Sequence, residues 1–190
     1  MDNILAIDAS THRTGLAWFE GGQPKYTVLE SSASAVEQRI ISIRNEFIEF
    51  LKEHPIIDTI IIEEVRPEDY SKDKAQNFMN NHTQKVLTWL QGCLAIASYE
   101  VNKKIKFEYI GASSWRSIIG IQGRYVKRDP QKQIDIEYAN KKYGLNLTSK
   151  QDDEADALCI LTAYHLNKNK LISNNTPTTN GDISTYKSAF

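Results

Sequence analysis

The sequence predicts an α/β fold: a mixed five-stranded sheet, made of a three-strand meander and two parallel strands, flanked by helices. Three observations support this fold. The chain begins with three short β-prone segments separated by turn-rich sequences. A segment with the apolar spacing of a helix then leads into a run of β-branched residues at 57–65. After this run, helical segments surround one more β-prone segment, at 104–110.

The first half of the chain supplies the meander and the central strand. The meander strands are predicted over residues 3–9, 14–20 and 25–30. Residues 34–53 repeat apolar side chains at helical spacing, and His54-Pro55 ends that helix. The segment IDTIIIEEV, residues 57–65, is too apolar for a half-exposed strand, so we expect helices on both of its faces. Because a helix precedes this strand, we expect it to run parallel to the first strand.

The second half is predicted to contain four helices and the fifth strand. Residues 66–83 are polar and predict a long exposed loop leading into a helix. The helices are predicted over residues 83–101, 112–121, 131–143 and 149–168, with the strand at 104–110. We expect residues 1–168 to form one domain. Residues 169–190 are polar and are expected to form a disordered tail.

Length and composition exclude several protein classes. The chain has 190 residues, 41% of them hydrophobic and 25% charged, which is typical of one globular domain. Cys93 and Cys159 lie far apart without metal-ligand spacing, so we expect reduced thiols and a cytoplasmic protein. We expect neither export nor membrane insertion, because there is no basic leader and no apolar run of about 20 residues.

Charge is segregated along the chain although the net charge is only −1. Residues 1–64 contain 5 Lys and Arg against 11 Asp and Glu, whereas residues 65–150 contain 15 against 8. This segregation indicates either a solvated surface or a basic track for a polyanion beside a carboxylate cluster. On the second reading, the phosphate-contacting candidates are Arg116, Arg124, Lys127, Arg128 and Lys132.

Carboxylates stand at the ends of two strands predicted to be buried. Asp8 ends an apolar strand, and Glu63 and Glu64 end the β-branched run. An isolated buried carboxylate costs several kcal/mol, so a cationic partner is expected. Successive strand residues point to opposite faces, so only one of the two glutamates can share a site with Asp8. We favour Glu63.

A second acidic group opens the last predicted helix, in the sequence QDDEADAL. Asp153 and Asp156 are three residues apart and therefore lie on one helical face. Acids in a first helical turn also complement the helix dipole, but Asp156 lies beyond that turn. With Asp8 and Glu63 they form an oxygen-only ligand set, which favours Mg²⁺ or Mn²⁺.

The segments AIDASTHRTGLAW, IIEEV, SSWR and QDDEADALCI together resemble the RuvC-like Holliday junction resolvases of the ribonuclease H-like fold, particularly their phage and prophage branch. The resemblance covers residues 3–166 and implies a protein of a bacterium or a phage-infected host cell. It implies a crossover junction endodeoxyribonuclease, a homodimer that acts in DNA recombination and repair by paired nicks in a four-way junction. Hydrolysis would use two Mg²⁺ or Mn²⁺ ions, and no organic cofactor is expected.

The same resemblance assigns residues. It implies that Asp8, Glu63, Asp153 and Asp156 are the metal-binding catalytic residues. Arg116 and Lys132 match basic positions near the scissile phosphate, and Lys132 is included among the catalytic residues. Bacterial members place an aromatic wedge shortly after the catalytic Glu. Here the nearest aromatic residues are Tyr70 and Phe78, and Tyr70 is included among the expected DNA contacts.

Two other functions fit parts of the pattern. The segment ILAIDASTHRTGLA also looks like the phosphate-binding hairpin of actin-like nucleotide-binding and tRNA-modification proteins. Those proteins need a second Asp-x-Gly hairpin and a Gly-rich adenosine motif, which are missing from this sequence. A module that binds branched DNA without cutting it is the non-enzymatic alternative. Cleavage of RNA–DNA hybrids is a further possibility on the same fold.

Overall fold

A computed structural model describes residues 3–65, 74–121 and 128–175, with the backbone alone at 74–80, 128–129 and 170–175. Its sheet has five strands: β1 (Ile4–Asp8), β2 (Arg13–Glu20), β3 (Gln23–Glu30), β4 (Thr59–Glu63) and β5 (Lys106–Ile110). The strand order is β3-β2-β1-β4-β5, with antiparallel pairing from β1 to β3. Strand β4 runs parallel to both β1 and β5. The predicted mixed sheet is therefore confirmed.

Within the described residues, five α-helices and one short 3₁₀ helix accompany the sheet. They are α1 (Val36–Glu53), α2 (Lys74–Val101), α3 (Ala112–Ile119), α4 (Arg128–Tyr143), the 3₁₀ helix Ser149–Gln151 and α5 (Asp152–Asn175). Three helices extend beyond their predicted bounds, including α4, which begins at Arg128 and not at residue 131. Residues 74–82 belong to α2 although the sequence predicted a loop, and α5 continues seven residues past 168. Once a helix has formed, each added residue gains a hydrogen bond without a new nucleation cost, so polar flanks can extend it.

The turn between β2 and β3 is shorter than predicted. It consists of Gly21 and Gly22, both at positive φ, and Glu20 pairs directly with Gln23. Two consecutive residues at positive φ are typical of the hairpin turn whose twist matches the flanking strands. Pro24 therefore lies inside β3, which it can do because β3 is at the edge of the sheet.

Helices cover both faces of the sheet. On one face Leu5, Ile7 and Ile62 pack in a buried cluster with residues of α1 and α2. On the other face Ala6 and Ile61 pack with residues of α3, α4 and α5. Adjacent residues of β1 thus belong to opposite layers, as the alternation of side chains along a strand requires. Strands covered on both faces account for the uninterrupted apolar runs of β1 and β4.

Helix α5 reaches the sheet through a glycine on β2. A Cβ atom at Gly15 would lie 2.1 Å from the carbonyl oxygen of Asp153 and 2.4 Å from its carbonyl carbon. Gly15 is also the pairing partner of Asp8 on β1. The first turn of α5 therefore lies against the strand position next to Asp8, at a distance that only a residue without a side chain allows.

A search of the described helices finds none with the length and apolar character needed to span a membrane.

The contact at Gly15 predicts a loss of stability in Gly15→Ala. The added methyl group overlaps backbone atoms of α5, which can move away only by displacing the helix. We expect the free energy of unfolding to fall by about 1–3 kcal/mol, measured by urea denaturation. Gly92→Ala is the matched control, because a Cβ at Gly92 meets no atom within 4 Å and alanine favours helix. Equal stability of the two variants would contradict the proposed steric limit.

Candidate active site

Two strand-end carboxylates face the same layer of helices. Asp8 and Glu63 are the last residues of the adjacent parallel strands β1 and β4, and Ile7 pairs with Ile62 just before them. Ile7 and Ile62 pack toward α1 and α2. Because strand side chains alternate, Asp8 and Glu63 point to the opposite layer, which contains α5. Glu64 is exposed at the end of the strand.

The start of α5 brings two more carboxylates to this end of the sheet. The backbone of Asp153 lies against Gly15, the partner of Asp8. Asp156 is three residues further along the helix and is only 8% exposed. The two side chains therefore share one helical face, as the sequence predicted. The N-terminus of α5 also places the positive end of its dipole near these acids.

The four carboxylates influence one another electrostatically. Burial raises the pKa of Asp8 well above its usual range, and the charges of Glu63 and Asp153 raise it further. Burial likewise raises the pKa of Asp156 well above its usual range, with Asp8 among the charges that add to the effect. The pKa values of Glu63 and Asp153 are also raised, chiefly by burial. The fold thus brings four acids together at one site, where their negative charges repel.

Hydrogen bonds fix one oxygen of Glu63 and one of Asp153. The indole Nε1 of Trp115, on α3, donates to Oε2 of Glu63 at 2.7 Å. The guanidinium Nε of Arg13, at the start of β2, donates to Oδ2 of Asp153 at 3.0 Å. Arg13 also pairs with Glu154 at 3.3 Å and with Glu30. These contacts orient both carboxylates before any ligand binds.

Lys132 reaches the same site from α4. Its ammonium group pairs with Asp152, in the first turn of α5. The pair with Asp152 and the nearby charges of Asp153 and Asp156 raise the pKa of Lys132, against the effect of burial. In turn, its positive charge opposes the rise in the pKa of Asp8. The structure therefore brings Lys132 to the carboxylates, together with the four acids named from the sequence.

Arg116 is turned toward the protein interior. Its Nε and Nη2 donate to Oδ2 of Asp135 at 3.2 and 2.8 Å, and its side chain is 17% exposed. Asp135 is fully buried on α4 and also accepts a 2.9 Å hydrogen bond from Nε2 of Gln131. The charge of Arg116 opposes the rise in the pKa of Asp8 and Asp156.

The other expected DNA contacts are only partly within the described structure. Tyr70, Arg124 and Lys127 lie outside the described residues. Arg128 is the first residue of α4, and only its backbone is described. Lys132 follows Arg128 one helical turn later, on the same helix.

The four carboxylates offer the oxygen donors that a hard divalent cation prefers. Their oxygen atoms do not, however, converge on one point. Within residues 3–65, 81–121 and 130–169, no three Asp, Glu, His or Cys side chains form a group that could hold a metal ion. Oδ1 of Asp156, however, is buried and accepts no hydrogen bond from the described residues. An acceptor left unpaired in this way is costly unless a cation or water binds it. Its neighbours Asp8, Glu63 and Asp153 add further oxygen donors, the type that Mg²⁺ and Mn²⁺ prefer.

Sequence reasoning missed Arg13 and Asp135. Arg13 lies in the segment STHRTG, where the only sequence signal is its place five residues after Asp8. Asp135 is a single acid between apolar residues in the sequence QIDIEY. That apolar setting was the available sequence signal, and the structure shows Asp135 buried. Their partners are 140 and 19 residues away, so the contacts depend on the tertiary fold.

One described cavity is separate from this site. It has a volume of about 370 Å³ and lies between the β2–β3 turn, the end of α4 and the middle of α5. Phe19, Tyr143 and His165 are among its lining residues. His165 is nine residues, or about two and a half helical turns, beyond Asp156, so the cavity does not contribute to the carboxylate cluster.

The raised pKa of Asp156 predicts that Asp156→Asn stabilises the metal-free protein at neutral pH. An acid with a raised pKa binds its proton more tightly in the folded chain than in the unfolded chain. Its contribution is therefore fully favourable below the unfolded pKa of about 3.9 and is lost as pH rises through the folded pKa. Asparagine cannot ionise, so we expect a gain of roughly 1 kcal/mol in the free energy of unfolding at pH 7 in EDTA.

Urea denaturation at pH 7 and pH 4 measures this effect, and the gain should shrink at pH 4. The exposed position Glu53 supplies the control variant Glu53→Gln, for which no such gain is expected. If Asp156→Asn is no more stable than the original chain at pH 7, repulsion among the four carboxylates is not a significant term in stability.

Comparison with known proteins gives matches at the level of structure alone. No protein-family model and no curated protein sequence matches the chain. Thermus thermophilus RuvC in complex with a Holliday junction substrate superposes with a TM-score of 0.63 and 16% identity, over 88% of this chain and 95% of RuvC. A second Thermus thermophilus RuvC structure gives a TM-score of 0.62 with the same identity and coverage.

A yeast protein extends this comparison. The mitochondrial Holliday junction resolvase Ydc2 superposes with a TM-score of 0.52 and 14% identity, over 90% of this chain and 81% of Ydc2. Identities this low establish a common architecture and leave activity to be argued from the site. The chain has the ribonuclease H-like fold, in the arrangement found in RuvC and Ydc2.

Proposed function

We propose that this protein is a metal-dependent, structure-selective endodeoxyribonuclease that resolves four-way DNA junctions by paired nicks. The observation that carries the proposal is the convergence of Asp8, Glu63, Asp153 and Asp156 on one end of the sheet. Solved structures with the same fold include RuvC bound to a Holliday junction and the resolvase Ydc2. A role in recombination and repair of cytoplasmic DNA, and a place in the phage and prophage branch, are part of the proposal.

The four carboxylates would hold one or two Mg²⁺ or Mn²⁺ ions. When bound, such ions lower the pKa of an attacking water and stabilise the leaving 3′ oxygen of a phosphodiester. The chain itself supplies the orientation of the ligands. Trp115 fixes one oxygen of Glu63, and Arg13 fixes one oxygen of Asp153. Lys132 adds a positive charge beside the acids, where it would stabilise the negative charge that develops on the phosphate during the reaction.

We assign the DNA track to basic residues of α4 and of the segment that precedes it in the sequence, together with Tyr70. Lys132 lies beside the carboxylates, and Arg128 begins the same helix. Arg124, Lys127 and Tyr70 complete the proposed set of contacts. Phosphate contacts of this kind position the duplex without reading its sequence. Arg116 directs two of its donors to Asp135 and is therefore treated separately below.

Two identical sites are needed to cut two strands symmetrically, so we propose a homodimer formed through the outer face of α2. Trp89, Ile96 and Tyr99 are 44%, 61% and 58% exposed, and their spacing of seven and three places them on one helical face. The opposite face of α2, including Leu90 and Leu94, is buried in the core. Large exposed apolar side chains aligned in this way are typical of a protein–protein interface.

The nucleotide-binding alternative has less support from the geometry. It would place phosphates beside the glycine of the first hairpin, but the Cβ direction of Gly15 is filled by the backbone of Asp153. A module that binds without cutting has no corresponding steric objection. The cleavage assay below distinguishes it from a nuclease.

The proposed function predicts metal-dependent cleavage of a labelled synthetic four-way junction. With Mg²⁺ or Mn²⁺ we expect paired nicks in the junction and none in a matched duplex, and no cleavage in EDTA. Asp8→Asn should lose cleavage while still binding the junction, because it removes a metal ligand and no DNA contact. Glu64→Gln is the matched control, since Glu64 is exposed beside Glu63 and should leave cleavage intact.

Other results of this assay would change the conclusion. Tight junction binding without cleavage under either metal would identify a branched-DNA-binding module. Cleavage of an RNA–DNA hybrid in preference to the junction would assign a different nuclease substrate. Absence of both binding and cleavage would return the nucleotide-binding alternative to consideration.

The proposed interface predicts that Ile96→Lys dissociates the dimer. A lysine placed in an apolar interface loses hydration without gaining a partner, so association should weaken strongly. Sedimentation velocity at micromolar protein measures the change from dimer to monomer. Ile56→Lys is the control, because Ile56 is 60% exposed and lies outside α2. A monomeric original chain, or a dimer that persists in Ile96→Lys, would refute this interface.

A further inference from the structure

Two neighbouring residues of α3 join the carboxylate cluster to a buried acid on α4. Trp115 is fully buried and donates its indole N–H to Oε2 of Glu63 at 2.7 Å. Arg116 donates twice to Asp135, and its guanidinium carbon lies 4.0 Å from the centre of the Trp115 ring. A continuous series of contacts therefore runs from Asp135 through Arg116 and Trp115 to Glu63.

Asp135 is a fixed anchor for this series. Its side chain is completely buried, and both of its oxygens accept hydrogen bonds, Oδ2 from Arg116 and Oδ1 from Gln131. A buried carboxylate is stable in its ionised form when an arginine pairs with it and further donors satisfy its oxygens. Removal of its charge would leave the guanidinium of Arg116 without its partner.

The position of Arg116 makes its partner important. Its charge acts on Asp8, Glu63 and Asp156, opposing the rise in the pKa of each. An arginine without Asp135 would have nearby carboxylates as alternative partners. Because arginine binds carboxylates through two parallel hydrogen bonds, such a pair would occupy the oxygens that a cation needs.

We propose that Trp115, Arg116 and Asp135 are positioning residues that keep Glu63 oriented and uncovered for a divalent cation. The inference rests on the proposed function, in which Glu63 is a metal ligand. Trp115 engages one oxygen of Glu63 and leaves the other available. Asp135 holds the guanidinium of Arg116 over the indole ring, so that Arg116 supplies positive charge without pairing with the cation ligands. Arg116 then acts inside the site, which differs from the phosphate contact expected from the sequence.

The first test is Trp115→Phe, which keeps an aromatic ring under Arg116 and removes the indole donor. Residues that orient a metal ligand typically contribute 10-fold to 100-fold to metal affinity. We expect Mn²⁺ binding, measured by isothermal titration calorimetry without DNA, to weaken about tenfold. The Mn²⁺ concentration for half-maximal cleavage should rise to a similar extent, and the KM for the junction should change less than twofold.

Two comparisons separate positioning from a general effect on folding. Trp18→Phe is the matched control, because its indole lies in the other layer, against Phe50 and His54, and should leave Mn²⁺ binding unchanged. The double variant Glu63→Gln with Trp115→Phe should bind Mn²⁺ no more weakly than Glu63→Gln alone. Additive losses would show that Trp115 does not act through Glu63.

Asp135→Asn provides an independent test, and it decides the question if thermal denaturation shows that Trp115→Phe does not fold. We expect weaker Mn²⁺ binding, again about tenfold, because Arg116 becomes free to pair with the carboxylates. A further change of Arg116 to Gln should restore part of the affinity, since it removes the competing cation. Unchanged Mn²⁺ affinity in the folded Asp135→Asn protein would overturn the inference.

The outcomes for the inference and for the nuclease are distinguishable. If the original chain binds Mn²⁺ through Trp115 and Asp135 but cuts no DNA, the positioning role stands and the nuclease proposal is wrong. If it cuts junctions and both variants keep the original Mn²⁺ affinity and metal requirement, the nuclease stands and the positioning role is wrong. If the original chain binds no Mn²⁺, both are wrong.

Discussion

Helix α5 can lie directly on the sheet because Gly15 of β2 has only a hydrogen atom in place of a side chain. The carbonyl group of Asp153 occupies the space that a Cβ of Gly15 would need. Since Gly15 pairs with Asp8, this contact also sets the separation between the end of β1 and the first turn of α5. The acids of the helix reach those of the strands only through this close approach.

The resulting site concentrates negative charge that folding alone does not favour. Burial and mutual repulsion raise the pKa of the acids, while Arg13, Lys132 and Arg116 supply positive charges that partly offset the repulsion. The three basic residues act differently. Arg13 binds Asp153 directly, Lys132 binds the neighbouring Asp152, and Arg116 is held by Asp135. Stability and ligand binding therefore depend on the same charges, and conditions that improve one can weaken the other.

Much of the fold and the acidic part of the site could be predicted from the sequence. The mixed sheet follows from apolar runs and crossover rules, and alternation along β4 allows only one of Glu63 and Glu64 on the side of Asp8, where the structure has Glu63. The partners of these acids could not be predicted, because Arg13 binds Asp153 across 140 residues. The first turns of α2 lack apolar periodicity, so sequence patterns missed them. Local signals identify acids at the ends of elements, while the contacts that orient those acids arise only from packing.

The carboxylate cluster combines the first strand of the chain with its last described helix. Asp8 is synthesised about 145 residues before Asp153 and Asp156. A chain emerging from the ribosome can pair β1, β2 and β3 while the acids of α5 are still unmade. The carboxylate cluster is therefore incomplete in every nascent or C-terminally truncated chain that lacks α5. Any activity that needs all four carboxylates is absent from such intermediates because of the order of the elements alone.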